Sequence, residues 1–185
     1  MKILLLGHGR CGSTSLHYGL SDIMNHKMVI EPFNRGLWKS YYKTNPPFEK
    51  GDSIGQNVIF KTLVGPNFQN EWIDENYRQF DKTIILMRGN FRETVISHQN
   101  AFVYGYINQY EPTERVTKDS LKHVIENYQW LLNFHGRTVT THLIWYEDIY
   151  TEDSVLSKDT IRLLDLGLSE PQLDKLYDKY LNPKF

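Results

Sequence analysis

The sequence predicts an α/β fold in which a central parallel sheet of about five strands is flanked by helices. Two observations favour this fold. Short apolar runs alternate along the chain with segments whose apolar residues recur at helical spacing, and each run is bounded by polar or turn-forming residues. At 185 residues the chain can bury a core but is short for two typical domains, so residues 1–185 are expected to form a single domain.

The predicted elements begin with a strand at residues 3–6, which runs through a glycine-containing turn into an amphipathic helix with apolar Leu16 and Leu20. Later strands are predicted at residues 28–30, 58–60, 83–87 and 139–145, and helices at residues 67–77, 93–101 and 120–133. Near the C-terminus, Ser169 followed by Glu170 and Pro171 is typical of a capped helix start.

Two long segments, residues 34–56 and 104–118, are predicted to be irregular. Loops of this length in a compact domain are usually functional or disordered. They carry aromatic residues that are suited to stacking on a sugar or holding an apolar alcohol, although stacking does not discriminate between these acceptors. These residues are Trp38, Tyr41, Tyr42, Phe48 and Tyr104.

Composition restricts the class of partner and the compartment. With 21 Lys and Arg against 22 Asp and Glu, the chain has no global field to hold nucleic acid or an acidic membrane, so any anion site must be local. The single cysteine, Cys11, excludes an internal disulfide and a cysteine-rich zinc site, which fits a reducing compartment. No apolar run has the length of a signal peptide core or a membrane span, so a soluble cytoplasmic protein is expected.

The segment GHGRCGST, residues 7–14, matches the P-loop pattern GxxxxGK[ST] except that Ser13 stands at the lysine position. Such a loop points backbone N–H groups and a helix N-terminus at one anion, and Arg10 supplies the missing charge. A plain glycine-rich turn is the alternative interpretation. Cys11 is interpreted as a small loop residue because no motif gives it a catalytic partner. The residues assigned to anion binding are His8, Gly9, Arg10, Cys11, Gly12, Ser13 and Thr14.

Four segments together resemble the sulfotransferases that use 3′-phosphoadenosine 5′-phosphosulfate (PAPS), in the family's order and across most of residues 2–150. RCGST resembles the family's 5′-phosphosulfate loop, and VIFKTLVGP, with Lys61, resembles its third-strand segment. IILMRGNFRETVISH, with Arg88 and Ser97, resembles the 3′-phosphate segment, and LIWYEDIY resembles a late strand end. The resemblance implies a three-layer P-loop-like fold and PAPS as the donor co-substrate.

The resemblance also implies a role for each matched residue. Lys61 and Arg10 would stabilise the transferring group, and Arg88 and Ser97 would bind the 3′-phosphate. Because Arg88 and Ser97 lie one residue further apart than is usual, Arg92 is an alternative. Leu63 stands where one branch of the family has a catalytic histidine, and Glu31 resembles the glutamate base of the carbohydrate-type and several bacterial branches.

The expected reaction is an in-line displacement onto a hydroxyl or amine of a small-molecule or carbohydrate acceptor, with no metal required. A P-loop kinase with a degenerate lysine and a non-catalytic nucleotide-binding module are the alternatives. His98 and His142 are interpreted as ordinary polar residues, whereas His8 lies in the loop and could contact the sulfuryl group. The sequence predicts neither the acceptor's identity nor the oligomeric state.

Overall fold

The fold is built on a parallel sheet, seen in a computed structural model that describes residues 1–32, 53–65, 67–102, 116–138 and 141–183. Within those residues the strands are β1 (Lys2–Gly7), β2 (Lys27–Ile30), β3 (Val58–Leu63), β4 (Lys82–Met87) and β5 (Thr141–Trp145). Their order across the sheet is β2-β3-β1-β4-β5, and every neighbouring pair is parallel. All carboxyl ends therefore lie at one edge.

Helices connect the strands and follow the last one. They are α1 (Ser13–Met24), α2 (Asn67–Asn76), α3 (Phe91–Phe102), α4 (Lys118–Arg137), α5 (Tyr146–Ile149), α6 (Ser154–Arg162) and α7 (Glu170–Leu176). A 3₁₀ turn, Tyr77–Gln79, follows α2, and a π-helical turn, Tyr177–Leu181, follows α7. Side-chain caps fix two of the starts: Thr117 accepts a hydrogen bond from the N–H of Ser120, and Asp153 accepts from Val155 and Leu156.

The sheet lies between two apolar cores, because successive strand residues point to opposite faces. On β1, Ile3 and Leu5 pack in the core that contains α1, α6 and α7, whereas Leu4 and Leu6 pack in the core that contains α2 and α4. This arrangement confirms the predicted three-layer α/β fold. No described helix is long and apolar enough to cross a bilayer.

The strand predictions agree with the structure, except that the predicted strand at 139–145 begins at Thr141 and residues 139 and 140 lie outside the described residues. The helix start at Glu170 is confirmed, with the Gln172 side chain accepting from the Ser169 N–H at 2.9 Å. Helix α6 was not predicted, because its buried face carries Ser157 and Thr160 while Val155 is exposed, which obscures the apolar periodicity.

The two long segments fall largely beyond what the structure describes. Residues 33–52 and 103–115 lie outside the described residues. The predictions for Trp38, Tyr41, Tyr42, Phe48 and Tyr104 fall there.

Candidate functional site

The residues singled out in the sequence lie at the carboxyl edge of the sheet. β1 ends at Gly7 and leads into the glycine loop (residues 7–14), which begins beside the ends of β3 and β4: Gly7 is in register with Leu63 and with Leu86. This edge is where open α/β sheets place their ligands.

The glycine loop turns sharply into α1. Gly12 caps the helix with φ of 76°, and Arg10 has φ of 75°, both in the left-handed region. A Cβ added at Gly12 would lie 2.7 Å from Cε2 of Tyr150 and 2.9 Å from the Tyr146 ring, so a larger residue does not fit. As a glycine, the cap leaves no side chain between the helix N-terminus and an anion.

Tyr150, 138 positions from Gly12 in the sequence, fixes the glycine loop. Its hydroxyl donates a hydrogen bond to the Gly12 carbonyl at 2.6 Å, and its ring stacks on Tyr146 with centroids 4.5 Å apart. Burial raises the pKa of Tyr150, so the hydroxyl stays protonated and remains a donor at neutral pH. The loop conformation therefore depends on α5 and the residue that follows it.

Lys61, Thr14 and Glu31 form a charged cluster. The Lys61 Nζ lies 3.0 Å from the Thr14 Oγ1 and 2.5 Å from the Glu31 Oε1, and Lys61 is only 1% exposed. Glu31 follows β2, has φ of 43°, and its N–H donates to the Lys61 carbonyl at 2.7 Å. An unusual backbone conformation thus holds this carboxylate against the ammonium group.

Arg10 and Ser97 connect the glycine loop to α3. The Arg10 Nε donates to the Ser97 Oγ at 3.0 Å, and Ser97 is buried. The two residues are 87 positions apart in the sequence and were predicted to bind opposite ends of one nucleotide. The structure brings these two predicted segments into contact.

Arg88 is oriented differently. Its guanidinium pairs with Glu93, lies 5.0 Å above the Tyr146 ring, and has its Nε 4.0 Å from the Glu147 Oε1. Among the described residues these contacts do not include Ser97, which was predicted to bind the 3′-phosphate together with Arg88. The alternative residue, Arg92, is exposed on α3.

Glu147 holds the turn that follows Arg88. Its carboxylate accepts hydrogen bonds from the N–H groups of Gly89 at 2.8 Å and Asn90 at 3.0 Å. Burial opposes ionisation, but these N–H donors outweigh it and hold the pKa of Glu147 below its ordinary value. The Glu147 carboxylate, in the segment that resembles a late strand end, therefore has a structural role.

Three histidines form an imidazole cluster: His8, which was assigned to anion binding, His98, which was interpreted as an ordinary polar residue, and His123, which the sequence interpretation did not single out. The rings of His98 and His123 stack with centroids 4.6 Å apart, and the His8 ring lies 5.3 Å from that of His98. Burial, followed by repulsion between the imidazoles, lowers the pKa of His8 to about 3 and that of His98 to about 4. The three rings thus lie close together. Because of the lowered pKa values, His8 and His98 are neutral at pH 7.

A cavity of about 370 Å³ lies between the imidazole cluster and Glu31. Apart from these four residues, its lining consists of Gly9, Thr62, Leu63, Val64, Gly65 and Gln69. The wall is mostly apolar, with a carboxylate and imidazoles converging on it, as in small-molecule sites. A carboxylate with a neighbouring ammonium can accept a proton, and the loop can hold an anion, so the site has the groups for a transfer reaction between two ligands.

Cys11 is buried in the loop and does not line this cavity. Burial raises the pKa of its thiol, which keeps the thiol protonated and unreactive. A Cβ added at Gly7 would lie 2.6 Å from the Cys11 Sγ, so the two residues pack together inside the turn. This packing supports the interpretation of Cys11 as a small loop residue.

Comparison with known proteins finds similarity in structure and none in sequence families. No family model matches the sequence, and no curated protein matches it. The crystal structure of mouse sulfotransferase SULT7A1 complexed with PAP matches with a TM-score of 0.62 and 14% sequence identity. The match covers 97% of this chain and 63% of the mouse chain, so the chain spans less than two thirds of that protein's length. At this identity the likeness establishes the fold.

Proposed function

We propose that this chain is a sulfotransferase that moves the sulfuryl group of PAPS onto a hydroxyl or amine of a small-molecule or carbohydrate acceptor. One observation carries the proposal: the Lys61 ammonium lies between the Thr14 hydroxyl of the glycine loop and the Glu31 carboxylate. These three residues occupy the positions at which the family resemblance puts the donor loop, the sulfuryl-binding lysine and the general base. The shared fold with a sulfotransferase that binds PAP supports the choice of donor.

The glycine loop and the Arg10–Ser97 contact supply the donor site. The N-terminus of α1 and the loop N–H groups favour the 5′-phosphosulfate, as helix N-termini favour anions generally. Arg10 lies within hydrogen-bond distance of Ser97, so the groups assigned to the 5′ and 3′ ends of the nucleotide border one another. Arg88 would join them only after exchanging its contact with Glu93 for a phosphate, and charge-assisted bonding to phosphate favours that exchange.

Lys61 is placed to act on the transferring group. An ammonium has three N–H donors, and Thr14 and Glu31 accept two of them, which leaves the third for an oxygen of the sulfuryl group or of the leaving phosphate. Charge grows on the bridging oxygen during in-line displacement, and a fixed cation stabilises it. By analogy with other preorganised donors, its loss would cost about a hundredfold in rate.

Glu31 is our choice for the general base. It lines the cavity with a side chain that is 15% exposed, and its carboxylate is held by Lys61. As the acceptor oxygen or nitrogen attacks sulfur, its proton passes to Glu31 and the bond to the departing nucleotide breaks. Lys61 would thus contact both Glu31, which receives the proton, and the phosphate of the departing nucleotide.

The kinase alternative fits these contacts less well. A P-loop kinase holds Mg²⁺ with the loop Ser or Thr and a strand-end acid. Here the Lys61 ammonium is bonded to both the Thr14 hydroxyl and the Glu31 carboxylate, and a cation in that position opposes binding of a second one. Turnover of ATP with Mg²⁺ by the purified chain, with no response to PAPS, would establish the kinase function instead.

Binding of the donor nucleotide is tested by thermal unfolding with PAP. A ligand at a hundred times its Kd stabilises the folded state by about 2.7 kcal/mol, which is about 5–10 °C in Tm for a chain of this size. The absence of any shift at millimolar PAP would remove both the enzyme and a non-catalytic module that uses this nucleotide.

Catalysis is tested separately with labelled PAPS and a panel of carbohydrate, phenol, lipid and peptide acceptors. Glu31→Gln should lose transfer to the responding acceptor while keeping the thermal shift with PAP, because it removes the proton acceptor and leaves the donor loop. Asp165→Asn, which breaks the exposed ion pair with Lys82, is the matched control and should stay active. An active Glu31→Gln variant would exclude Glu31 as the base, and PAP binding without transfer to any acceptor would favour the non-catalytic module.

A further inference from the structure

We propose that His8, His98 and His123 bind one divalent transition-metal ion at the wall of the cavity, with a coordination position open to the cavity. Zn²⁺ is the ion that the donor set matches best. The inference stands on the geometry of the three imidazoles and does not depend on the proposed sulfuryl transfer.

The three ligands come from different elements and converge on one point. His8 follows β1, His98 is on α3 and His123 is on α4, and their nearest ring nitrogens all lie within 4.8 Å of one another. Tetrahedral zinc with bonds of about 2.1 Å to nitrogen requires nitrogens about 3.4 Å apart. The nitrogens are therefore at most about 1.4 Å too far apart, and a shift of each imidazole by about 0.7 Å closes that difference.

Hydrogen bonds to the other ring nitrogens orient two of the ligands. The His8 Nδ1 lies 2.6 Å from the Gly9 carbonyl, so Nδ1 carries the proton and Nε2 carries the lone pair. The Asn127 Nδ2 donates to the His123 Nε2 at 2.9 Å; turning the Asn127 amide over lets its oxygen accept from Nε2–H instead, which leaves the Nδ1 lone pair for the metal. A second hydrogen-bonding partner of this kind is a general feature of metal-binding histidines.

The donor set selects the class of ion. Imidazole ligands suit Zn²⁺, Co²⁺, Ni²⁺ and Cu²⁺, whereas Mg²⁺ and Ca²⁺ prefer oxygen ligands. Three protein ligands with a fourth position open are typical of catalytic rather than structural zinc sites. Because Glu31 and Thr62 line the same cavity, an ion held here would face whatever small molecule the cavity takes.

The test uses the full chain, freed of metal with EDTA and dialysed. Co²⁺ is titrated in first, because tetrahedral cobalt gives intense visible absorption, and Zn²⁺ is then added to displace it while calorimetry measures affinity. We expect one ion per chain, with zinc binding more tightly than cobalt. A wild-type chain that takes up neither ion at equimolar concentration overturns the proposal, whatever the variants do.

Variants identify the ligands. His123→Gln, on the partly exposed face of α4, should weaken zinc binding by at least about 100-fold. Asn127→Ala should weaken it by about 10-fold, because the His123 ring is then no longer held in one orientation. His26→Gln removes a histidine outside the cluster and should leave the affinity unchanged; circular dichroism in EDTA checks that each variant is folded. Equal affinity in His123→Gln and wild type, or equal loss in His26→Gln, would overturn the assignment.

Discussion

The charged cluster and the imidazole cluster both contribute to the wall of one cavity and are stabilised in different ways. Lys61, Thr14 and Glu31 join the glycine loop to β2 and β3, and their formal charges pair at 2.5 Å in a nearly buried position. His8, His98 and His123 join the same loop to α3 and α4, and at neutral pH the buried His8 and His98 carry no charge. The first cluster pairs opposite charges, whereas the second consists of imidazoles that line the adjoining cavity.

The difference separates two tasks at one edge of the sheet. A buried ion pair fixes geometry because removing either partner leaves an uncompensated charge. A neutral imidazole cluster has no such constraint and can accept a ligand from outside. The charged cluster is therefore suited to positioning a donor and a base, and the imidazole cluster to recognising a second ligand.

The largest effect is expected from breaking the charged cluster. Lys61→Met should lower the free energy of unfolding by about 3–5 kcal/mol, because the Glu31 carboxylate loses its partner in a position that is 15% exposed. The double variant Lys61→Met with Glu31→Gln should recover most of that loss, since it removes both charges. Urea denaturation of the two variants and the wild type measures both differences.

An exposed ion pair provides the control for this experiment. Lys82 pairs with Asp165 at 3.0 Å, but Asp165 is 84% exposed, so Lys82→Met should cost less than about 1 kcal/mol. If Lys61→Met proved no more costly than Lys82→Met, the charged cluster would not constrain the fold, and the contrast with the imidazole cluster would be lost.

His17 tests how acid affects stability next to the charged cluster. It is fully buried on α1, its Nε2 lies 2.9 Å from the Ile59 carbonyl, and Lys61 and Glu31 are the charged groups that act on it. Burial lowers its pKa from 6.5 to about 4. The unfolded chain therefore binds a proton between pH 6.5 and 4 that the folded chain does not, and lowering the pH through that range favours unfolding.

This titration should remove about 3 kcal/mol of stability between pH 6.5 and 4, with little further loss from the same group below pH 4. His17→Gln eliminates the proton-binding group, so its free energy of unfolding should fall by about 3 kcal/mol less than that of the wild type over the same range. Denaturant melts at pH 7, 6, 5 and 4 measure the two slopes. Parallel pH profiles would exclude His17 as an acid-sensitive group.

Much of the fold and of the charged cluster could be predicted because their signals are local. The apolar strands, the glycine loop and the strand-end residues Glu31 and Lys61 each stand in a short recognisable segment. Parallel topology then brings strand ends to one edge, which is why residues 30 positions apart meet at 2.5 Å. The fold class and the proximity of Arg10 to Ser97 follow from the same rule.

The imidazole cluster had no such signal. His8, His98 and His123 are separated by 90 and 25 residues, and nothing in their spacing indicates that α3 and α4 carry two of them to the loop. The orientation of Arg88 was equally unpredictable, because its guanidinium pairs with Glu93 and lies over the ring of Tyr146, which follows β5. Side-chain partners from distant segments decide such details.

The smallest effect concerns the glycine loop that both clusters share. Tyr150→Phe removes the hydrogen bond to the Gly12 carbonyl but keeps the ring, so it should lower stability by about 1 kcal/mol and Tm by about 2–4 °C. Tyr146→Phe is the matched control, because this neighbouring tyrosine stacks on Tyr150 and its hydroxyl makes no hydrogen bond among the described residues. Equal Tm values for the two variants would mean that the Tyr150 hydroxyl does not hold the loop, and that the loop keeps its left-handed turn at Gly12 through backbone and ring packing alone.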